Sequence, residues 1–386
     1  MLQLSTRKPT RFSEADLHIF QKLRSLNWGL VLTLCLISAS GVALLYSAGG
    51  MAWEPWAGRH LIRLCCGMML MIVLAMIDVQ HWFRLAYPAY FACLLLLVAV
   101  EVIGQIGMGA QRWIDLGVFT LQPSELMKIA LVLALARYFH QIPLDRLRAP
   151  LALIPPLLMT AAPVVLVLLQ PNLGTAALLA FGSGAVMFAA GVPVWIFWTA
   201  AGGVLVAAPV GWQFLHDYQK DRVLTFLDPG SDPLGAGYNI LQSTIAIGSG
   251  GVSGKGFGMG SQSQLMFLPE KHTDFIFVVL AEEMGLMGAI GLLLLFGIVL
   301  IYGYLIGIGS KSQFGRVTAL GLTTTFFLYL LMNIAMVSGL IPVVGIPLPL
   351  VSYGGTAIFT FLIGCGLLLS ISVHRESRVS PHEPLL

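Results

Sequence analysis

Charge is scarce in this chain. Of its 386 residues only 10% are Asp, Glu, Lys or Arg, whereas soluble proteins carry about a quarter. The hydrophobic share is 57% and the mean hydropathy is +0.86. These values exclude a soluble enzyme and predict an integral membrane protein. Apolar runs such as 286–308 are continuous and do not alternate with polar residues, which favours membrane-spanning helices over a barrel.

The net charge and the cysteines give no sign of a nucleic-acid-binding protein or of a cysteine metal site. The net charge of +3 does not indicate a nucleic-acid-binding protein. The cysteines lie in apolar runs without metal-ligand spacing, and we expect them to act as small apolar side chains: Cys35, Cys65, Cys66, Cys93 and Cys365.

The apolar runs predict an all-α polytopic membrane protein with about ten spans. The predicted spans are 27–47, 61–77, 85–106, 121–139, 151–169, 173–191, 193–211, 283–308, 317–339 and 354–373. The bias of Lys and Arg toward one side places both termini in the cytoplasm. The chain then divides into a cytoplasmic tail (1–26), a transmembrane domain (27–374) and a second cytoplasmic tail (375–386).

One long connection, residues 212–282, lies outside the cell in this topology. It is rich in glycine and turn signals, but it also holds apolar residues at helical spacing. We therefore expect short helices lying against the membrane surface. Because long ordered loops are commonly functional, we also expect catalytic residues here.

Polar residues gather in four groups at or beyond the outer membrane face. The first is Arg112-Trp113-Ile114, either an interfacial anchor or part of a site. The second begins at Gln122 and places Glu125 and Lys128 three residues apart on one helix face. Each of these charges costs about 3 kcal/mol within a membrane helix. The two residues form either a buried ion pair that fixes helix packing or the polar wall of a substrate cavity.

The third group lies in the long connection. Lys220 and Arg222 precede a glycine-rich stretch, 248–258, that contains Lys255. This stretch lacks the spacing of a nucleotide P-loop, which leaves open a donor-rich loop near a lipid diphosphate. The group ends in Leu268-Pro269-Glu270-Lys271-His272-Thr273-Asp274, directly before an apolar helix. His272 has no second histidine at ligand spacing and does not indicate a metal site.

The fourth group is the proline- and glycine-rich stretch 342–355, preceded by Asn333. It predicts a rigid re-entrant turn, since irregular backbone at membrane depth needs protein or a wet cavity around it. It is either a stiff connection or the lip of a cavity, with Ser352 and Tyr353 as hydrogen-bonding groups.

These four groups, in this order, resemble the SEDS family (shape, elongation, division and sporulation). The resemblance covers about residues 25–374 and depends most on Arg112-Trp113-Ile114, Gln122-Pro123-Ser124-Glu125, the stretch 268–283 and Pro347-Leu348-Pro349 to Gly355. Residues 260–265 and Ala281 are more similar to the elongation members (RodA-type) than to the division members (FtsW-type). Leu121 departs from the family, which often has an aromatic residue there.

The resemblance implies a peptidoglycan glycosyltransferase that polymerises lipid II and releases undecaprenyl diphosphate. The family's essential aspartate falls on Asp274, our candidate base, and its buried charged pair falls on Glu125 and Lys128. The residues expected to bind substrate are Glu125, Lys128, Arg112, Gln122, Lys220, Arg222, Lys255, Lys271, His272, Glu282, Ser352 and Tyr353. On a helix continued from Asp274, Glu282 would lie about 80° round the axis and Glu283 on the far side.

No dedicated metal motif is present, which leaves open whether Asp274 and diphosphate oxygens share a divalent cation, Mg²⁺ or Mn²⁺. The resemblance also implies a class B penicillin-binding protein and the elongation machinery as partners, at the bacterial plasma (inner) membrane with the active site outside. A lipid II flippase, an FtsW-type paralogue and a docking scaffold are the rival hypotheses.

Overall fold

The computed structural model describes residues 19–107, 110–115, 117, 120–143, 146–147, 149–214, 217–228, 236–264 and 271–376. Parts of both predicted tails, and the motif residues 268–270, lie outside the described residues. The division into two tails and a transmembrane domain therefore stays a prediction.

The described chain is helical almost throughout. Its helices are α1 (Ile19–Arg24), α2 (Trp28–Ala48), α3 (Gly58–Ala75), α4 (Val79–Ile103), α5 (Pro123–Gln141), α6 (Ile154–Leu169), α7 (Leu173–Ala189), α8 (Val194–Phe214), α9 (Asp217–Leu227), α10 (Ala236–Gly250), α11 (Ser261–Gln264), α12 (Ile276–Gly309), α13 (Gln313–Val337) and α14 (Gly355–Val373). A short turn of helix, Trp53–Ala57, precedes α3, and another, Pro150–Leu153, precedes α6. The all-α membrane fold is thus confirmed.

Within the described residues, 7 helical stretches are long and apolar enough to cross a membrane. They are Trp28–Ala48, Trp53–Ala75, Val79–Val102, Leu151–Leu169, Ile276–Gly309, Gln313–Val337 and Gly355–Val373. Two shorter apolar helices, Leu173–Ala189 and Val194–Ala207, also match predicted spans. The remaining predicted span corresponds to α5, which carries Glu125, Lys128 and Arg137 and buries all three inside the bundle. The count of ten stays a prediction.

The centre of the bundle consists of α5, α13 and α14, whose side chains are mostly buried. α3 packs along α14, α4 along α5, and α12 along both α13 and α2. At the periphery, residues 198–207 of α8 are all exposed. In a membrane that apolar surface faces lipid, because lipid chains are as apolar as leucine.

A small antiparallel sheet was not expected from the sequence. Strands β1 (Gln105–Gly107), β2 (Ala110–Asp115) and β3 (Thr120–Leu121) lie in the order β1-β2-β3 between α4 and α5. Arg112-Trp113-Ile114 lies on β2, so this motif is extended and not helical.

Residues 340–354 have no regular secondary structure, yet Ile346, Leu348 and Leu350 are buried. We call this stretch the 340–354 segment. The Ser352 hydroxyl accepts a hydrogen bond from the Leu348 amide at 2.8 Å, and the Ser352 amide donates to the Leu348 carbonyl at 2.9 Å. Ser352 therefore folds the segment onto itself, as a rigid buried turn requires.

The long connection contains α9, α10, α11 and the first part of α12. α10 packs against α12 and α13, and the Ser243 hydroxyl donates to the Val337 carbonyl at 3.0 Å. This helix therefore packs on α12 and α13, and the expected position of the short helices at the membrane surface stays a prediction.

α12 is broken at Gly285, where φ is +63° and ψ is −160°. An unbroken helix would direct the amides of residues 286 and 287 to the carbonyls of 282 and 283. Instead the Leu286 amide donates to the Gly251 carbonyl (2.9 Å) and the Met287 amide donates to the Val252 carbonyl (3.1 Å).

The carbonyls freed by this break are also satisfied. Those of Glu282 and Glu283 accept from the amides of Lys255 and Gly256, both at 3.0 Å. We call residues 250–256 the strap, since they bind both sides of the break. All four groups released by the break therefore have partners, as burial demands.

The strap bears on the donor-rich loop that the sequence left open. The amides of Lys255 and Gly256 bind carbonyls of α12, and the Gly254 amide donates to the Gly250 carbonyl at 2.9 Å. The glycines allow close approach to α12, because a β-carbon at Gly254 would lie 2.1 Å from the Glu283 carbonyl oxygen. The strap is thus a packing element, and these three amides do not form a diphosphate-binding loop.

We predict that Gly285→Ala destabilises the protein. A β-carbon at Gly285 would lie 2.4 Å from the Gly254 nitrogen, and its backbone conformation alone costs a non-glycine residue about 1–3 kcal/mol. The midpoint of thermal unfolding in detergent should fall. The control is Gly202→Ala on α8, where a β-carbon meets nothing within 4 Å. Equal midpoints for the two variants would contradict this role of the break.

Candidate active site

Asp274 lies in a turn of non-helical backbone, residues 271–275, and α12 begins only at Ile276. The side chain is half-buried. Its carboxylate lies against the 340–354 segment, since a β-carbon at Gly345 would be 3.4 Å from Oδ2. The candidate base therefore stands between the turn and the segment.

Asn333 of α13 connects these two irregular pieces of chain. Its side chain is fully buried, and Nδ2 donates to the carbonyls of Asp274 (2.9 Å) and Ile346 (2.7 Å). The sequence placed Asn333 beside the fourth group, but it offered no sign of this bridge. By fixing the backbone of Asp274, Asn333 acts as a positioning residue.

An aromatic cluster adjoins the turn. The His272 ring stacks on Trp56, with centroids 4.0 Å apart and planes at 20°, and Tyr353 meets Trp56 edge-on at 4.9 Å. The Tyr353 amide donates to the His272 carbonyl at 2.8 Å. The structure thus brings together His272 and Tyr353, as the sequence predicted, and adds Trp56.

Two cationic or titratable residues of α3 complete this cluster. The Arg63 guanidinium lies 4.6 Å from the centroid of the Tyr353 ring. His60 is fully buried and its Nε2 contacts the Leu350 carbonyl at 3.1 Å. Arg63 was not among the residues expected from the sequence to bind substrate. The signal was two arginines and a histidine in the first two turns of an otherwise apolar helix: Arg59, His60 and Arg63.

Lys271 is the candidate cation in the same turn as Asp274. Burial lowers the pKa of its ammonium below 10.5, while the nearby Glu283 carboxylate acts in the opposite direction. Glu283 is buried, and its Oε1 accepts a hydrogen bond from the Ser47 hydroxyl of α2 at 2.5 Å. Glu283 therefore influences the turn through Lys271.

The angle expected between Asp274 and Glu282 about a common helix axis was wrong. The angle of 80° assumed one helix from Asp274 onward, whereas Asp274 precedes α12. Glu282 is fully buried, and its Oε1 accepts from Lys255 Nζ (2.8 Å) and the Gln262 amide (2.9 Å). These contacts fasten the strap and α11 to α12. Glu283 is the carboxylate that acts on the turn.

Other predicted residues lie elsewhere. The Arg112 Nε donates to the Gln170 carbonyl at 3.1 Å, and its guanidinium also binds the Pro171 carbonyl. Arg112 thereby caps the carboxyl end of α6, which favours the anchoring alternative. Lys220 and Arg222 lie on α9, and the Arg222 side chain is outside the described atoms. The Gln122 amide donates to Thr356 Oγ1 at 3.3 Å, joining α5 to α14.

Glu125 and Lys128 form a closed triad with Tyr329. Lys128 Nζ donates to Glu125 Oε1 at 2.5 Å and to the Tyr329 hydroxyl, which in turn donates to Glu125 Oε2 at 2.6 Å. All three side chains are buried. A small, mostly apolar cavity beside Lys128 reaches Pro347 and Pro349 of the 340–354 segment. Tyr329 also packs in one hydrophobic cluster with Ile346 of that segment, and the substrate-contact role of the triad stays a prediction.

Among the described residues, no three His, Cys, Asp or Glu side chains come close enough to hold a metal ion. Whether Asp274 shares a divalent cation with diphosphate oxygens stays a prediction.

We predict a double-mutant signature for the triad. Glu125→Gln or Lys128→Met alone leaves one buried charge without its partner and should cost about 3–5 kcal/mol, whereas the double variant should cost much less than the sum. Thermal unfolding in detergent measures the coupling. The activity that the resemblance implies, measured on the double variant, then separates the two alternatives: recovery indicates packing, and continued loss indicates substrate contact. Additive destabilisation would contradict the ion pair.

Comparison with known proteins identifies the family. The family model for FtsW, RodA and SpoVE, described as "Cell cycle protein", matches residues 21–377. Peptidoglycan glycosyltransferase MrdB of Escherichia coli (strain K12) is 46% identical over 323 residues, which is 82% of this chain and 86% of that protein. A probable peptidoglycan glycosyltransferase FtsW of Trichlorobacter lovleyi is 37% identical over 378 residues, 95% of each.

Solved structures agree with the fold. The crystal structure of the Thermus thermophilus rod shape determining protein RodA is similar with a TM-score of 0.70 and 31% identity, covering 91% of this chain and 98% of that one. A structure described as a peptidoglycan synthase complex that coordinates polymerization and crosslinking gives a TM-score of 0.77 at 36% identity, with coverage of 91% and 98%. The chain belongs to the FtsW/RodA/SpoVE family of cell cycle proteins.

Proposed function

We propose that this protein is a peptidoglycan glycosyltransferase of the elongation type, which polymerises lipid II into glycan strands and releases undecaprenyl diphosphate. The similarity to MrdB (46%) exceeds that to the FtsW relative (37%), which supports a role in rod-shape elongation.

The observation that carries the proposal is the setting of Asp274. A carboxylate on a clamped turn, beside the aromatic cluster and facing an irregular buried segment, is suited to act as a base. Asn333 and the Tyr353 amide fix the backbone on both sides of it, at Asp274 and His272. Such preorganisation places a base within reach of a substrate proton without a further ordering cost.

Asp274 would take the proton from the 4-hydroxyl of an acceptor GlcNAc. That oxygen attacks the anomeric carbon of the donor MurNAc, and the bond from this carbon to the diphosphate oxygen breaks. A single displacement converts an α-linked donor into a β-linked glycan. The step needs positive charge near the departing diphosphate.

Lys271 is the best placed of the predicted cations for this task, because it lies in the turn that carries Asp274. Lys255 pairs with Glu282, and Arg112 caps α6. We keep Lys220 and Arg222 on α9 as candidates for contact with substrate.

The partner we propose is a class B penicillin-binding protein, which would crosslink the strands as they form. The similar peptidoglycan synthase complex supports this choice. The multi-pass membrane fold, with Asp274 at an end of α12, supports a plasma-membrane enzyme working on the outer face with both termini inside.

We predict that Asp274→Asn abolishes glycan polymerisation and leaves the fold intact. The amide keeps the shape of the side chain but accepts no proton at neutral pH. The assay contains purified protein, its cognate penicillin-binding protein and labelled lipid II. The parent protein should yield a ladder of glycan strands, and the Asp274→Asn protein should yield none. Asp228→Asn, an equal charge change on an exposed side chain after α9, is the control.

Two outcomes would redirect the proposal. Ladders from a folded Asp274→Asn protein would exclude Asp274 as the base. No ladder from the folded, partner-bound parent protein would favour the flippase or scaffold hypotheses, and lipid II translocation into vesicles would then be measured.

We predict a pH effect at Lys271. Its pKa is lowered by burial, so the ammonium loses its charge at a lower pH than an ordinary lysine. Polymerisation should therefore fall as pH rises through that lowered pKa. Lys271→Arg keeps the charge, since the arginine pKa is above about 12. Its alkaline limit should move to higher pH, whereas that of Lys311→Arg, at an exposed pair with Glu376, should not. Unchanged limits in both variants would exclude Lys271 as the required cation.

A further inference from the structure

Arg63 is a charged residue placed inside an apolar span. It lies in the second turn of α3, within the stretch Trp53–Ala75 that is apolar enough to cross a membrane. An arginine within a spanning helix costs about 2.5–3.5 kcal/mol near the helix centre and less near its end, so its presence indicates a function.

No carboxylate neutralises Arg63 among the residues that the structure describes. Arg59, one turn earlier, pairs with Glu54 at 3.5 Å on the exposed surface. Arg63 instead lies over the Tyr353 ring at 4.6 Å. A cation over an aromatic face is partly stabilised, but the ring accepts none of the in-plane hydrogen bonds that a guanidinium donates.

The surroundings of Arg63 are held in place. The Tyr353 amide donates a hydrogen bond to the His272 carbonyl, which fixes Tyr353. His60 contacts the carbonyl of Leu350, three residues earlier in the same segment. Trp56 contacts both Tyr353 and His272. The guanidinium thus rests on a rigid aromatic floor built from the short helix Trp53–Ala57, the turn and the 340–354 segment.

This floor lies close to the candidate base. Asp274 follows His272 by two residues, and two residues of chain span at most about 7 Å. An anion on Arg63 would therefore lie within the reach of one substrate molecule that also touches Asp274.

We propose that Arg63, held by the aromatic floor of Trp56, His272 and Tyr353, binds the diphosphate of the lipid-linked donor. This inference rests on the proposed function. When the bond from the anomeric carbon to the diphosphate oxygen breaks, both electrons stay on that oxygen and the diphosphate gains one negative charge, while the acceptor proton passes to Asp274. Arg63 faces the group that gains the charge, and guanidinium binds phosphate oxygens in a bidentate manner.

The test uses farnesyl diphosphate as a soluble prenyl diphosphate, with farnesyl monophosphate for comparison. Arg63→Met removes the charge and keeps an apolar side chain, and Arg59→Met is the matched control one turn away. Loss of a charged hydrogen-bond partner should weaken inhibition by farnesyl diphosphate on the order of 10- to 100-fold in Arg63→Met. The monophosphate should be affected less, and Arg59→Met should behave as the parent protein.

Two further measurements extend the test. One is the polymerisation that Arg63→Met retains, and the other is the binding of farnesyl diphosphate to the folded Asp274→Asn protein. A thermal shift with farnesyl diphosphate should persist in Asp274→Asn and disappear in Arg63→Met. Parent-like binding and polymerisation by Arg63→Met would overturn the subsite alone. Binding of farnesyl diphosphate by a parent protein that does not polymerise would overturn the proposed function alone.

A phospholipid headgroup could supply the same phosphate chemistry. Nanodiscs with and without anionic phospholipid separate the sources. Equal inhibition constants in both support the donor diphosphate, whereas loss of inhibition by farnesyl diphosphate in anionic nanodiscs would assign Arg63 to bulk lipid and overturn the proposal.

Discussion

The carboxamide of Asn333 is the contact on which the candidate site depends. Two stretches of irregular backbone meet at this point, and each brings a carbonyl group against the fully buried side chain of Asn333. One buried side chain satisfies a carbonyl from each, at 2.9 and 2.7 Å. Because an unpaired carbonyl in such a place is costly, the two stretches are stable only together. The position of Asp274 is thus decided by α13, a helix that carries no predicted catalytic residue.

The same principle applies at three other described places. At each of them a neighbour satisfies backbone groups of a helix end, a helix break or an irregular stretch. His60 holds the Leu350 carbonyl, Arg112 holds the end of α6, and the strap holds the break in α12. Several residues that resemble ligand-binding groups by charge or glycine content are therefore engaged by the protein itself. Arg63 differs from them, since its described contact is an aromatic ring.

Much of the fold followed from hydropathy, because lipid requires long apolar helices whatever their sequence details. The predicted span 354–373 and the helix Gly355–Val373 differ by one residue at the start. The site followed less well. The motifs identified four residues that the structure brings together: Asp274, His272, Lys271 and Tyr353. Glu282 was misplaced because the prediction continued one helix through the turn that precedes α12. The roles of Asn333, Trp56 and Tyr329 depend on contacts between residues far apart in the chain, which periodicity and spacing do not record.

The strap has a consequence for how the sequence can vary. Two successive amides of the strap meet two successive carbonyls of α12, and two successive carbonyls of the strap receive the amides that follow the break. Adding or removing one residue between 250 and 256 would displace one set of partners from the other. The length of this stretch is therefore fixed, while Val252, whose side chain is exposed, is free to change. Insertions in related chains are expected on either side of the strap and not within it.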